Sequence, residues 1–334
     1  MQKLLNIILI SILLTISYAM HAETRTDESE PIESDSTLDV VAWFQKLDTA
    51  EYWISSSRWT LNDNDTTQTL GLWTNARIVV TDSTTAGYRM EYTILDLKCD
   101  ELSDSIAASA QKRLMELLTP KYVGTTVKFE TDEFGKITEF SNLKQIQAIA
   151  KELTDKYRKA TIASIKKQNK DKISKRLHLD RFVSTLLSED KFIDMYLNDI
   201  KLLFARHGNS YYLGEMSWHD AATDTTLEND TYLYATCDNE GFYNISTTVV
   251  TEIEKVNYNK LFGAFAELSG KQELAEFLHN EMDSENTHAT VTQDLISKYT
   301  PIGWPSEVVD KKQTQINNSN TISQSHLFLD YTSF

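Results

Sequence analysis

Alternating apolar and polar positions recur along most of the chain and predict β-strands. The clearest case is residues 127–130, which are followed by a turn from Asp132 to Gly135 and by a second extended stretch at 137–140. An aspartate that can bond its own backbone, placed three residues before a glycine, is typical of a short hairpin loop. Other stretches rich in Val, Ile, Thr, Tyr and Trp predict further strands: residues 52–61, 69–80, 88–97, 210–218, 230–237, 242–253, 288–299, 307–316 and 323–332.

Helical periodicity separates these strands. Residues 104–118 place apolar side chains on one side, a longer helical run begins near Asn142, and another covers residues 177–207. The patterns at 38–47 and 258–279 favour two more helices. Together these elements predict an α+β fold in which antiparallel sheets of roughly ten strands, arranged as meanders and hairpins, pack with several amphipathic helices.

Three predicted hairpins share one spacing, in which an oxygen-bearing side chain precedes a glycine by three positions: Asp132 and Gly135, Asp238 and Gly241, and Thr300 and Gly303. Duplication of a half, giving similar halves at about 37–176 and 177–334, is one explanation. Convergence of good hairpin turns on the same chemistry is the other, and the unequal gaps between the turns favour it. We therefore predict a single α+β domain over residues 37–334.

The first 22 residues have the build of a secretory signal peptide. Lys3 gives a basic start, residues 4–16 are apolar, and small residues at Ala19 and Ala22 suit cleavage. The apolar run is short, which disfavours the alternative of an uncleaved anchor. Residues 23–36 are acidic and polar and predict a disordered leader. We therefore predict an exported protein, periplasmic or extracellular, with no transmembrane segment once the signal peptide is removed.

The charge of the chain is strongly acidic, with a formal net charge of −16. This disfavours nucleic acid as a partner, because nucleic-acid binding depends on neutralising phosphates. Residues 142–176 differ from the rest, since they carry eleven Lys or Arg against three acidic residues. This segment, with Lys166, Lys167, Lys170 and Lys172, is a candidate surface for an anionic envelope lipid, a glycan or an acidic protein. The alternative is a solvated face attracted to the acidic remainder of the chain.

Two cysteines, Cys99 and Cys237, would meet an oxidising compartment after export. A disulfide between them is a candidate, and closing so long a loop would stabilise the fold by roughly 4 kcal/mol in the chain-entropy model. Two separately buried thiols are the alternative, because the sequence does not show whether the cysteines meet.

Motifs for catalysis, cofactors and metals are not found in the sequence. The ten glycines are too scattered for a nucleophile elbow, a phosphate loop or a dinucleotide fingerprint. His279, Glu281 and His288 lack the one-turn spacing of a helical metal pair. His219 stands beside Asp220, but neighbours on a strand point to opposite faces and do not assist each other. We predict no catalytic residue, no cofactor and no metal ligand, which favours a binding protein over an enzyme.

The six Trp and fifteen Tyr are most simply explained as core residues of a β-rich fold. The sequence therefore predicts a secreted or periplasmic, non-catalytic binding or interaction protein. One alternative is a carrier of an apolar, lipid-like ligand, which needs an apolar cavity between sheet and helices. Another is a glycan-active hydrolase, which needs two carboxylates facing each other across an aromatic cleft.

Two short stretches carry a resemblance: residues 127–137, VKFETDEFGKI, and Gly303-Trp304-Pro305 ahead of the predicted strand at 307–316. In these stretches the chain resembles uncharacterised secreted and lipoprotein families of Gram-negative bacteria, in which antiparallel strands surround helices. Those families have no agreed activity, so the resemblance implies a fold and an exported address but no reaction. A looser likeness to periplasmic lipid carriers, with a curved sheet over helices, depends on element order alone.

Overall fold

A computed structural model of the protein describes residues 37–62, 65–168, 189–222, 227–253, 289–316 and 319–331. The predicted signal peptide and leader, residues 1–36, lie outside this part of the chain, and so does the predicted helix at 258–279. The first part of the helix predicted at 177–207, residues 177–188, lies outside it as well. The predictions for these segments therefore stay predictions.

An antiparallel sheet of eleven strands forms most of the described structure, and a second sheet pairs β1 with β7. The order in the large sheet is β6-β5-β4-β3-β2-β13-β12-β11-β10-β9-β8. The strands are β1 (Thr37–Asp39), β2 (Thr49–Asn62), β3 (Asp65–Thr84), β4 (Gly87–Cys99), β5 (Thr126–Thr131), β6 (Ile137–Phe140), β7 (Ser210–Tyr212), β8 (Gly214–Asp220), β9 (Asn229–Cys237), β10 (Tyr243–Ile253), β11 (Ala289–Tyr299), β12 (Pro305–Ile316) and β13 (Ser319–Leu329).

The predicted fold class is confirmed, since antiparallel strands in meanders and hairpins dominate the structure and helices accompany them. One predicted strand, residues 210–218, is divided into β7 and β8. The division falls next to Gly214, whose φ of 105° interrupts the extended backbone. The two parts then join different sheets, because β7 pairs with β1 and β8 with β9.

The central pair of the large sheet joins its first and last strands in chain order, β2 and β13. Strand β13 lies beside β2, with Leu327 opposite Ile54 and Leu329 opposite Tyr52. Strands β3 to β6 follow on one side of this pair and β12 to β8 on the other. Each of the two halves considered from the sequence therefore forms one contiguous side of the sheet.

Three helices occur in the described residues: α1 (Ser105–Tyr122), α2 (Leu143–Gln168) and α3 (Glu189–Leu203). They contribute Leu118, Ile146 and Ile200 to a core shared with Tyr52 and Ile54 of β2. We call the side of the sheet that faces these helices the inner face and the opposite side the outer face. Within the described part of the chain, no helix is both long and apolar enough to cross a membrane.

The core beneath the helices is rich in large side chains, and burying each contributes roughly 1.5–3 kcal/mol. Tyr92 and Phe129 are almost fully buried in it. One carboxylate is buried there as well: the Tyr92 hydroxyl donates to Asp199 Oδ2 at 3.0 Å. Burial raises the pKa of Asp199 to about 6, because the charged form loses its hydration.

The prediction of a helix at residues 38–47 is wrong. The segment starts as strand β1 and then continues without regular structure. Its backbone N–H groups form hydrogen bonds with other loops: Val40 N donates to Asn209 O, and Ala42 N donates to Phe134 O, each at 3.0 Å. Because these tertiary partners satisfy the backbone groups that a helix would pair internally, the local apolar spacing does not decide the conformation.

The three predicted hairpin turns are confirmed. In the first, Asp132 Oδ1 accepts bonds from the backbone N of Phe134 at 3.0 Å and of Lys136 at 2.9 Å. Asp238 caps the β9–β10 turn in the same way, and the Thr300 hydroxyl accepts one such bond in the β11–β12 turn. The glycines that end the turns have positive φ: 92° at Gly135, 82° at Gly241 and 88° at Gly303.

Candidate functional site

The two cysteines are not brought together. Both are free and exposed. Cys99 ends β4 and Cys237 ends β9, and six strands of the sheet lie between these two. Neighbouring strands are about 4.8 Å apart, whereas a disulfide needs Cα atoms within roughly 7 Å.

The structure describes only part of the predicted basic surface, up to residue 168. Lys166 and Lys167 belong to the last turn of α2, while Lys170 and Lys172 lie outside the described residues. His279, Glu281 and His288, which the sequence disfavours as metal ligands, also lie outside. Among the described residues, no three His, Cys, Asp or Glu side chains form a group that would hold a metal ion.

His219 does meet carboxylates, although Asp220 is not the one that it meets most closely. Its Nδ1 lies 2.9 Å from Asp230 Oδ1 on the neighbouring strand, and its Nε2 lies 3.6 Å from Glu228. The hydrogen bond with Asp230 raises the pKa of His219. The imidazole and both carboxylates are exposed, so the contacts of His219 are surface contacts.

The six tryptophans are divided between the core and the surface. Trp304 is buried and stacks on Phe44 with ring centroids 4.1 Å apart. Trp53 and Trp73 lie on the outer face, where their indole N–H groups donate to Asp330 and Asp100. The expectation that the aromatic residues build the core therefore holds for only some of them.

Along β2, the side chains on the inner face change from apolar to polar. Tyr52 and Ile54 face the helices and are buried, whereas the next residues on the same face are Ser56 and Arg58. The register extends this polar continuation across neighbouring strands. Arg58 lies opposite Ser323 of β13, and Ser323 lies opposite Lys312 of β12.

Polar contacts connect this row of residues. The Arg58 Nε donates to Ser323 Oγ at 3.2 Å. On β11, Gln293 lies opposite Lys312, and its amide donates to Asp310 Oδ1 at 3.0 Å. Asp310 is two residues from Lys312 on β12, so both side chains point to the inner face.

The pKa of Lys312 departs from its ordinary value. Burial lowers its pKa to about 8, because the ammonium loses its hydration. The positive charge of Arg58 lowers the pKa further, and the carboxylate of Asp310 opposes both effects.

A third cation reaches the inner face from the turn after α3. Arg206 Nη2 donates to the Thr247 hydroxyl at 2.7 Å and to Leu295 O at 3.3 Å. Its guanidinium lies 5.7 Å from the Tyr211 ring centroid. Its Nε is buried and has no hydrogen-bond partner in the described structure. The anchoring residue Leu295 lies opposite Asp310, so Arg206 is anchored beside the row that contains Lys312.

We call Arg58, Arg206, Gln293, Asp310 and Lys312 the inner cationic site. It combines three basic side chains with one carboxylate in a chain whose net charge is −16. All three basic residues are half-buried, and their combined positive charge attracts an anion more strongly there than in open water. The arrangement therefore suits an anionic group.

Apolar side chains border the inner cationic site. Val249 lies opposite Gln293, and Leu295 lies beside Asp310 and packs partly against the main core. A ligand held here would meet cations and aliphatic side chains together. Cations beside aliphatic side chains suit an amphipathic anion.

Sequence reasoning missed the inner cationic site, although one signal was present. Within β2, every second residue faces the helices: Tyr52 and Ile54 are apolar, but the next two on that face, Ser56 and Arg58, are polar. A similar change within β12 follows Val308 with Asp310 and Lys312 on the same face.

Comparisons with known proteins give little further guidance. No family model and no curated relative matches the chain. Among solved structures, the chain is similar to one described as "Lipid-protein interactions in lipovitellin", with 8% sequence identity and a TM-score of 0.43. The match covers 86% of this chain and 25% of the other, so the chain spans about a quarter of the length of that neighbour. A likeness this distant carries no argument about function.

Proposed function

We propose that this protein is a non-catalytic binding protein that takes an anionic amphiphile, such as a fatty acid, at the inner cationic site. The observation that carries the proposal is the placement of Arg58 and Lys312 on one row of the inner face, on either side of Ser323. This refines the apolar-ligand carrier considered from the sequence, since the ligand requires a charged head as well as an apolar chain.

Electrostatics favour an anion at this position. A carboxylate between the two cations would restore the proton affinity that Lys312 has lost, because an opposite charge stabilises the ammonium. Hydrogen bonds to charged partners contribute about 1.5–3 kcal/mol each. Val249 and Leu295 would contact the alkyl chain, at about 0.8 kcal/mol for each buried CH₂ group.

The test is isothermal titration calorimetry of the full chain with dodecanoate at pH 7. Dodecyl maltoside has the same chain with a neutral head group, and butyrate has the same head group with a short chain. We expect dodecanoate to bind at least tenfold more tightly than either. Arg58→Met and Lys312→Met should each weaken dodecanoate binding about tenfold, which corresponds to about 1.4 kcal/mol.

Lys311→Met is the matched control, because Lys311 is the next residue on β12 and points to the outer face. Its dodecanoate affinity should stay within twofold of wild type. Equal weakening by Lys311→Met and Lys312→Met would place any binding outside the inner cationic site. Failure of dodecanoate to bind would refute the proposed function.

We also propose that the protein acts after export, in the periplasm or outside the cell. The support is the basic start, apolar run and small residues within positions 1–22. Expression of the full chain in a Gram-negative host should give a periplasmic product that begins near residue 23. A cytosolic product with an intact N-terminus would contradict this.

A further inference from the structure

One end of the large sheet exposes apolar side chains at the tips of several separate loops. Three belong to the turns β5–β6, β9–β10 and β11–β12, and two belong to the segment before β2. The residues and their exposed fractions are Trp43 at 68%, Leu47 at 74%, Phe134 at 47%, Phe242 at 40% and Ile302 at 49%. We call these five residues the loop-tip surface.

Contacts between the loops connect four residues of the loop-tip surface. Trp43 N donates to Ile302 O at 3.0 Å, and Ala42, the residue before Trp43, bonds to Phe134 O. On the other side of Ile302, Pro301 lies next to the β9–β10 turn, because a Cβ built on Gly241 would meet its ring at 3.4 Å. Phe242 follows Gly241 directly, so the loops that carry Phe134, Trp43, Ile302 and Phe242 lie side by side in one line.

The tips are held rigidly although they face solvent. The Asp132 and Asp238 carboxylates cap their turns with two backbone hydrogen bonds each. Leu47 is held at a φ of 77°, a conformation unfavourable for a branched side chain, by a 2.8 Å bond from its N to Val80 O. Rigid apolar anchors bind with a small loss of conformational entropy.

Acidic residues surround this apolar line. The turns themselves carry Asp48, Glu133, Asp238 and Glu240, and Glu133, Asp238 and Glu240 are exposed. Two basic residues lie in the same loops: Lys46, whose ammonium is 3.9 Å from Asp82 Oδ1, and Lys136, which is exposed. An apolar centre with a charged rim is the usual arrangement of a protein interface. The negative rim favours a basic partner and disfavours an anionic membrane surface.

We propose that the loop-tip surface docks a basic amphipathic segment of another protein. The apolar side of that segment covers Trp43, Phe134 and Ile302, and its Lys or Arg residues face Glu133 and Glu240. This inference does not depend on the inner cationic site, since it concerns a different set of residues at one end of the sheet.

The probe for this proposal is a fluorescein-labelled 14-residue peptide of Leu and Lys that forms an amphipathic helix, with its Leu and Glu twin as the charge control. Fluorescence anisotropy at 150 mM salt measures both. We expect the Lys peptide to bind at least tenfold more tightly than the Glu peptide. Trp43→Ser with Phe134→Ser should weaken binding of the Lys peptide at least tenfold.

Two further variants test whether the peptide binds at the loop-tip surface and whether the acidic rim contributes. Trp218→Ser with Tyr232→Ser removes two exposed aromatic residues from β8 and β9, and its affinity should stay within twofold of wild type. Glu133→Lys with Glu240→Lys reverses the rim charge at exposed positions and should weaken binding at least fivefold. The charge-reversal variant also tests the proposal if the variant of Trp43 and Phe134 is misfolded, which altered circular dichroism would show.

Other occupants give different results. Binding to phosphatidylcholine vesicles that requires Trp43 and Phe134, without discrimination between the two peptides, would overturn the proposal in favour of a membrane surface. A concentration-dependent dimer in sedimentation velocity that the same variant abolishes would overturn it in favour of a second copy. Equal weakening by the β8–β9 variant would show that the peptide binds to exposed aromatic residues in general.

Discussion

Burial lowers the pKa of Lys312 to about 8, so the folded chain holds this proton less tightly than the unfolded chain does. Between pH 8 and the ordinary value of 10.5, the unfolded state binds more protons, and the free energy of unfolding therefore rises with pH. Below pH 8 the full cost of burying the charge is present. A basic residue kept at such a cost is more easily explained by binding than by stability.

Lys312→Met should therefore stabilise the fold while weakening ligand binding. We expect the free energy of unfolding to increase by about 1–3 kcal/mol at pH 7, because a buried charge is replaced by an apolar side chain of similar length. At pH 10 the gain should shrink, since wild-type Lys312 is then largely neutral in the folded state. Urea unfolding at both pH values measures this. A gain of the same size at pH 10, or an equal gain from Lys311→Met, would contradict the assignment.

At the scale of elements, the segment before β2 is held where the end of α3 meets two hairpin turns. His207, just after α3, lies with its Nε2 2.9 Å from Gly303 O and has its pKa lowered to about 4, mainly by burial. Because a carbonyl only accepts, Nε2 carries the proton of a neutral ring. A Cβ on Gly303 would meet Val41 O at 2.3 Å, so this turn also touches the segment directly.

Gly303→Ala and Gly241→Ala form a matched pair that tests this packing. Both glycines end the same type of turn with similar positive φ, 88° and 82°. A Cβ on Gly241 would meet only Pro301, at 3.4 Å or more. We expect Gly241→Ala to cost about 1–2 kcal/mol from backbone strain alone, and Gly303→Ala to cost at least about 2 kcal/mol more. If urea unfolding gave equal losses of unfolding free energy for both variants, the segment before β2 would have moved to accommodate the new Cβ at little cost.

At the scale of the whole molecule, the β2–β13 pair joins two sides of one sheet. The main core lies beneath the helices, and a second apolar cluster that includes Tyr243, Ile245 and Tyr299 lies on the β8–β11 side. A sheet that runs through both clusters predicts that they unfold together.

Ile94→Ala and Ile245→Ala test this coupling, because each side chain is fully buried in a different cluster. Each variant should lower the free energy of unfolding by about 2–5 kcal/mol. Both should shift a single transition that fluorescence and far-ultraviolet circular dichroism report identically. Two separate transitions would instead support two independently folding halves.

Local chemistry explains how much of this fold the sequence predicts. Strands such as β5 and β6 and the three turns ending in Gly135, Gly241 and Gly303 were predicted correctly, because alternation and turn capping depend on residues close together in the chain. The segment at 38–47 was not, because its hydrogen-bond partners, Asn209 and Phe134, are distant in the chain.

The sequence alone thus determined which segments extend, where they turn and that the fold is α+β. Tertiary structure alone decided that Arg58 and Lys312 share a row, that Arg206 is anchored beside it, and that Cys99 and Cys237 stay apart. The physical reason is that a strand's own pattern specifies its two faces but not its neighbour. The pairing of β2 with β13 and of β13 with β12 comes from the whole chain, and it creates the inner cationic site.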